Sequence, residues 1–218
     1  MLPNSKRVGI DVGGSHISAA IIGKTDNGWE PSFKTTIALN SNDSAYTIIT
    51  TLSNCIKELT AKVQEIEAVG IAFPGPFDYE NGISAIANVG GKFEKTFGLH
   101  VRQGVEDFTG LRHAAFKFYN DAGCFAAGAY HLHRLKSKRT VFITLGTGLG
   151  AGFMLDGELL QIHPDIPSSG AFFDQDFLDS NADDYFSTRW ILKTYQQITG
   201  TSISSVKELA ESGRADAH

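Results

Sequence analysis

Apolar residues recur at every second position in residues 7–13, RVGIDVG, and read as a strand that carries one acid, Asp11. Gly13-Gly14 makes a turn, and SHISAAIIG, 15–23, returns as a second strand. Residues 29–39 supply a third, antiparallel strand. The period then changes. In 44–63, Ile48, Ile49, Leu52, Ile56, Leu59 and Val63 keep a spacing of three and four, which predicts a helix. AVGIAF, 68–73, is an unbroken apolar run and reads as a buried strand, stopped by Pro74-Gly75-Pro76. Residues 77–104 carry no clear period beyond a hairpin signal at ENGIS, 80–84. AFKFY, 115–119, reads as a strand that ends at Asn120-Asp121. The small residues of AGCFAAGAYHL suit a helix packed closely on a neighbour.

The pattern then begins again. RTVFITLGTG, 139–148, resembles KRVGIDVGG, 6–14, as an apolar strand running into a glycine turn. Gly13 falls opposite Gly146, and Asp11 opposite Thr144. A duplicated strand-turn-strand unit predicts two similar lobes.

The second turn has two incompatible readings. Gly146, Gly148 and Ala151 fit the dinucleotide fingerprint, and Asp165 lies near the distance expected of a ribose-binding acid. That motif needs a helix after its glycines, because the pyrophosphate sits on the helix N-terminus. Here GFMLDGELL follows, and its Asp156-Gly157 between apolar runs is a strong hairpin signal. Gly146 to Gly152 is therefore read as a tight turn between antiparallel strands.

Composition narrows the partners. The net charge is −5 and no basic run occurs, so a nucleic-acid partner is not expected. Cys55 and Cys124 lie far apart, without C-x-x-C spacing. That fits a reducing cytoplasm and excludes a disulfide scaffold or four-cysteine zinc site. No signal peptide precedes the strand at Arg7, and no membrane-spanning stretch is expected.

A glycine turn can aim several backbone N–H groups at one anion. Two such turns suit the phosphates of a donor, although either alone can be only a turn. Asp11 is placed to hold Mg²⁺, directly or through water, since Mg²⁺ keeps several waters and takes few carboxylates. Asp121 has two readings: a helix cap, or a general base accepting an alcohol proton during phosphoryl transfer.

Together, VGIDVGGSHISAAIIG, GIAFPGPFDYENG, NDAGCFAAGAY and TLGTGLGAGFMLDGELL resemble the ROK sugar kinases in order and spacing, over about residues 7–160. DDYFSTRWILKTYQQITG is similar to the helix after that family's zinc segment. The resemblance implies an α/β actin-like ATPase (ribonuclease H-like) fold. Its two lobes have mixed sheets, 1–120 and 121–218, with the second short relative to the family. It implies ATP as co-substrate with Mg²⁺, a hexose or N-acetyl-amino sugar as acceptor, and a cytoplasmic homodimer. Asp11, Gly13, Gly14 and Ser15 match the first phosphate motif, with Ser15 where a threonine is usual. Gly146, Thr147, Gly148 and Gly150 match the second. Asp121 matches the catalytic aspartate, Asn120 its sugar-contacting neighbour, and Asn88 another sugar-binding asparagine.

The departures are specific. In SGAFFD, 169–174, Ala171 and Asp174 stand where the family has a sugar-binding Glu and His. The zinc knuckle is absent, so no zinc is expected. His131-x-His133 follows the helix as a solvated pair, and His163 is read as structural. A non-catalytic sugar sensor is the rival reading, and polyphosphate the rival donor. An intact Asp121 favours the enzyme.

Overall fold

The computed structural model describes residues 6–25, 28–63, 65–87, 91–111, 115–146 and 148–212. The chain divides into two units, Met1–Asp121 and Ala122–His218.

The first unit is built on strand alternation. β1 (Lys6–Val12), β2 (His16–Thr25) and β3 (Gly28–Ala38) form an antiparallel meander. Val8, Ile10 and Val12 pair with Ile21, Ala19 and Ile17, and all six are buried on one face. That face is covered by α1 (Ala45–Thr60) through Ile48, Ile49, Leu52, Ile56 and Leu59. Ser44 starts α1 by accepting the Thr47 N–H at 3.1 Å, a helix cap. β4 (Ile66–Phe73) returns parallel to β1. A short hairpin follows, β5 (Phe77–Asp78) with β6 (Ile83–Ser84), where the ENGIS signal predicts one. After α2 (Val101–Thr109), β7 (Ala115–Asn120) adds parallel to β4. The sheet order is β3-β2-β1-β4-β7, a mixed sheet.

Helix α2 is absent from the sequence expectation. Its only fully buried side chains are Val101 and Val105, too few to set a period. Gly104 also lowers its propensity, and it lies close against α1: a Cβ there would sit 3.1 Å from Ile49 Cγ2.

The second unit carries α3 (Asp121–Leu132), whose first residue closes the first unit, and then β8 (Arg139–Leu145), β9 (Leu149–Leu155) and β10 (Glu158–Leu160). These strands form an antiparallel sheet in the order β10-β9-β8. Asp156 and Gly157 both have positive φ, 49° and 90°, as the β9–β10 turn requires. The dinucleotide reading of 144–152 is thus excluded, because a strand and not a helix follows the glycines. Asp165 pairs instead with Arg139 at 2.9 Å. The repeat extends to three strands, and a counterpart of β4 is absent among the described residues. Val141, Ile143 and Leu145, opposite buried Val8, Ile10 and Val12, are 51%, 54% and 62% exposed.

Beyond this sheet lie β11 (Asp176–Phe177), β12 (Ser180–Asn181), α4 (Asp183–Phe186), α5 (Thr188–Thr199) and α6 (Val206–Glu211). His131 lies in the last turn of α3 and not beyond the helix; both it and His133 are exposed. No helix of the described residues is long and apolar enough to cross a membrane.

Small residues let α3 lie close on β9. A Cβ on Gly152 would overlap the Ala126 methyl and stand 2.9 Å from Ala122 O. Gly152→Ala should therefore destabilise the second unit by about 1–3 kcal/mol, the usual cost of overpacking. Urea unfolding followed by far-UV circular dichroism checks this; an unchanged midpoint would mean that α3 shifts at no cost.

Candidate functional site

The parallel strands deliver their carboxyl ends to one edge of the first sheet. Asp11 of β1 stands beside Ala72 of β4, and Ala72 beside Tyr119 of β7. The next pair, Phe73 and Asn120, leads to Asp121 at the start of α3. Asp11 and Asp121 thus lie at the same edge, two strands apart. Their charges interact: burial first, and then the negative Asp121, push the Asp11 carboxyl above its usual range. His16 partly relieves it. Part of Asp11 still reaches solvent, as does Asp121.

The first glycine turn joins β1 to β2 beside Asp11. Gly13 N–H donates to His16 O at 2.9 Å and closes the turn. Its carbonyls are tied from outside: Ser41 N–H donates to Gly14 O and Leu39 N–H to Ser15 O, both at 3.0 Å. The N–H groups of Gly14 and Ser15 take no part in this closure. Ser15 Oγ lies 3.1 Å from His16 Nδ1. A Cβ on Gly13 would stand 3.1 Å from His16 O, a tight approach to backbone that favours a glycine.

Asn120 is held by a residue that the sequence pattern does not single out. Its Nδ2 donates to Tyr79 Oη at 3.2 Å, and Tyr79 Oη donates to Phe73 O at 3.1 Å. Tyr79 therefore links the ends of β4 and β7. Gly75 makes room for it, since a Cβ there would lie 3.1 Å from the phenol oxygen. The tyrosine follows Pro74-Gly75-Pro76, where residue order gives no period to read.

The second turn joins β8 to β9. Gly146 N–H donates to Gly148 O at 3.0 Å, and Thr188 N–H to Gly146 O at 2.9 Å. Leu149 N–H donates to Asp183 Oδ1 at 2.6 Å, and Asp183 pairs with Arg189. Asp183 and Arg189 are invisible to local sequence reasoning because they come from 34 residues and more downstream. A Cβ on Gly148 would stand 2.9 Å from Asp183 Oδ1, and one on Gly150 would overlap Thr144 Oγ1. Asn88 and Thr147 lie outside the described residues.

The departures from the ROK pattern are locally satisfied. Asp174 Oδ1 accepts from Ser169 Oγ and Gln175 Nε2, both at 2.8 Å. His163 Nδ1 accepts Asp165 N–H at 3.1 Å, a local structural role. Among the described residues, no group of three or more His, Cys, Asp or Glu side chains is arranged to hold a metal ion.

The chain is 29% identical over 162 residues to a glucokinase of Thermotoga maritima, covering 73% of this chain and 47% of that protein. It is 26% identical over 154 residues to an N-acetyl-D-glucosamine kinase of Haemophilus influenzae, covering 69% of this chain and 46% of that protein. The chain thus spans about half the length of the curated relatives it matches. Among solved structures, a ROK family glucokinase from Streptomyces griseus, in complex with glucose and AMPPNP, shares the fold. It superposes with a TM-score of 0.71 at 20% identity, over 98% of this chain and 73% of that one. The ROK family model matches residues 7–162, so the chain belongs to the ROK family.

Proposed function

We propose that this chain serves a sugar kinase that transfers a phosphoryl group from Mg-ATP to a hydroxyl of a hexose or N-acetyl-amino sugar. One observation carries the reading. Two carboxylates, Asp11 and Asp121, lie at the carboxyl edge of parallel strands beside a glycine turn, near enough for their charges to interact. The carboxyl edge of such sheets is where ligands bind. The curated relatives, a glucokinase and an N-acetylglucosamine kinase, support the acceptor class. The fold neighbour that holds glucose and AMPPNP supports ATP as donor.

The residues fit Mg²⁺. Asp11 is an oxygen ligand with an accessible face, and its carboxylate is disfavoured by a second negative charge nearby. A divalent cation would relieve that repulsion, and Mg²⁺ needs only one or two carboxylates. When bound it would neutralise charge on the donor phosphates. Asp11 would hold it, directly or through water.

The chain's own residues supply the rest. Asp121 accepts the sugar hydroxyl proton. The hydroxyl oxygen forms its bond to the γ-phosphorus as the β–γ bridging P–O bond breaks, giving ADP and the sugar phosphate. Asn120, held by Tyr79, orients the sugar. Backbone N–H groups at the first turn hold donor phosphate. Such transfer rests mainly on positioning and charge neutralisation.

Asp121 separates this reading from a structural one. Asn is nearly isosteric and suits a helix start, so Asp121→Asn should leave the thermal melt almost unchanged. Its amide oxygen is too weak a base, and kcat should fall about 10²–10⁴-fold with little change in sugar affinity. Steady-state phosphorylation beside a melt checks both. A normally folded variant with near wild-type turnover would reduce Asp121 to a helix residue.

The acid pair also has a stability signature. A raised folded-state pKa means that ionised Asp11 costs stability at neutral pH. The cost is full above the folded value and vanishes below the ordinary carboxylate range, where both states are protonated. Asp11→Asn should therefore melt higher than wild type at pH 7 without metal, with the difference narrowing towards pH 4. A gain that ignores pH, or a loss at pH 7, would contradict the electrostatic origin.

A further inference from the structure

The first glycine turn has a cation laid across it. A Cβ built on Gly14 would stand 3.0 Å from Lys92 Cδ, 3.2 Å from Cε and 3.3 Å from Nζ. The φ of Gly14 is not left-handed, and the outer part of the lysine side chain lies over the face from which a Cβ would project. The ammonium therefore lies close to Gly14 in the first glycine turn.

The approach is fixed from below. Phe93, the next residue, is 1% exposed and packs its ring on Phe73 with centroids 5.4 Å apart. Its N–H donates to Ser41 O at 2.9 Å, while Ser41 N–H donates to Gly14 O at 3.0 Å. Ser41 is itself buried. One buried serine therefore ties the turn to the backbone that carries Lys92. Phe93 adopts a left-handed φ of 59°, unusual for an aromatic residue, and its carbonyl accepts from Thr96 N–H at 2.9 Å. The segment is held in a strained turn that sets the lysine over Gly14.

We propose that Lys92 is a phosphate-binding residue at the first glycine turn, contacting the donor's terminal phosphates. This rests on the kinase reading above and adds to it a positive charge that Asp11, Asp121 and the glycines do not provide. Transferring phosphoryl groups carry negative charge on equatorial oxygens, and an ammonium at the turn opposes it. A lysine serves as a point charge that can follow the phosphate as it moves.

The test measures binding, so it does not depend on turnover. Mg-AMPPNP and Mg-tripolyphosphate are titrated into the ¹⁵N-labelled chain, following the Gly14 and Ser15 amides, and glucose is titrated separately. Lys92→Met should weaken both phosphate probes about tenfold, as expected for one charge-assisted hydrogen bond. Lys92→Arg should restore most of the affinity. Glucose affinity should stay within about twofold, and the salt dependence of phosphate binding should become shallower in Lys92→Met. Equal phosphate affinity in wild type and Lys92→Met would overturn the assignment, as would a loss confined to glucose. A wild-type chain that binds neither phosphate probe would overturn the kinase reading itself, and this assignment with it.

Discussion

The site depends on the parallel register of β1, β4 and β7. That register is set by what lies beneath it: Val8, Ile10 and Val12, then Val69, Ile71 and Phe73, then Phe116 and Phe118, all buried. Side chains alternate between faces, so a slip of one residue in β1 would turn Asp11 into this core and Ile10 out of it. The apolar face therefore excludes such a slip. In the observed register, Asp11 and Asn120-Asp121 finish at the same edge.

Irregular segments complete what the strands begin. Tyr79 bonds both Phe73 O and Asn120 Nδ2, so a hairpin outside the sheet fixes a side chain at its edge. Ser41 does the same for the first turn and the Lys92–Phe93 segment. In the second unit, Asp183 accepts the Leu149 N–H and Thr188 N–H donates to the Gly146 carbonyl, so the starts of α4 and α5 steady the glycine turn. Each turn is thus clamped by chain remote in sequence. Against this order stands one unfavourable feature, the negative charge of Asp121 near Asp11. A site that binds a cation gains from such repulsion, whereas a purely structural one does not.

Much of the fold is legible because burial writes a period into the chain. The strands at 7–13 and 68–73 and the helix at 44–63 correspond to β1, β4 and α1. The Asp156-Gly157 hairpin is legible because its turn needs positive φ at both residues. Helix α2 is not, since nine residues with two buried valines and a glycine show no period. In the first unit, Asp11 and its glycine turn are legible because they lie next to strong strands, and the same holds for the glycine turn of the second unit. Tyr79, Ser41, Lys92 and Asp183 are not, because each acts on a residue far away along the chain. Only folding juxtaposes them, and no local spacing encodes the contact.

Phosphoryl transfer itself gives the most direct measurement. The folded chain is incubated with a panel of hexoses and N-acetylhexosamines, with Mg-ATP and separately with polyphosphate, and products are followed by ³¹P NMR. A new sugar phosphate resonance that depends on both the sugar and Mg²⁺ is the expected result. A folded chain that forms no sugar phosphate with any sugar or donor would contradict the claim that Asp11, Asp121 and the first glycine turn form a phosphoryl-transfer site.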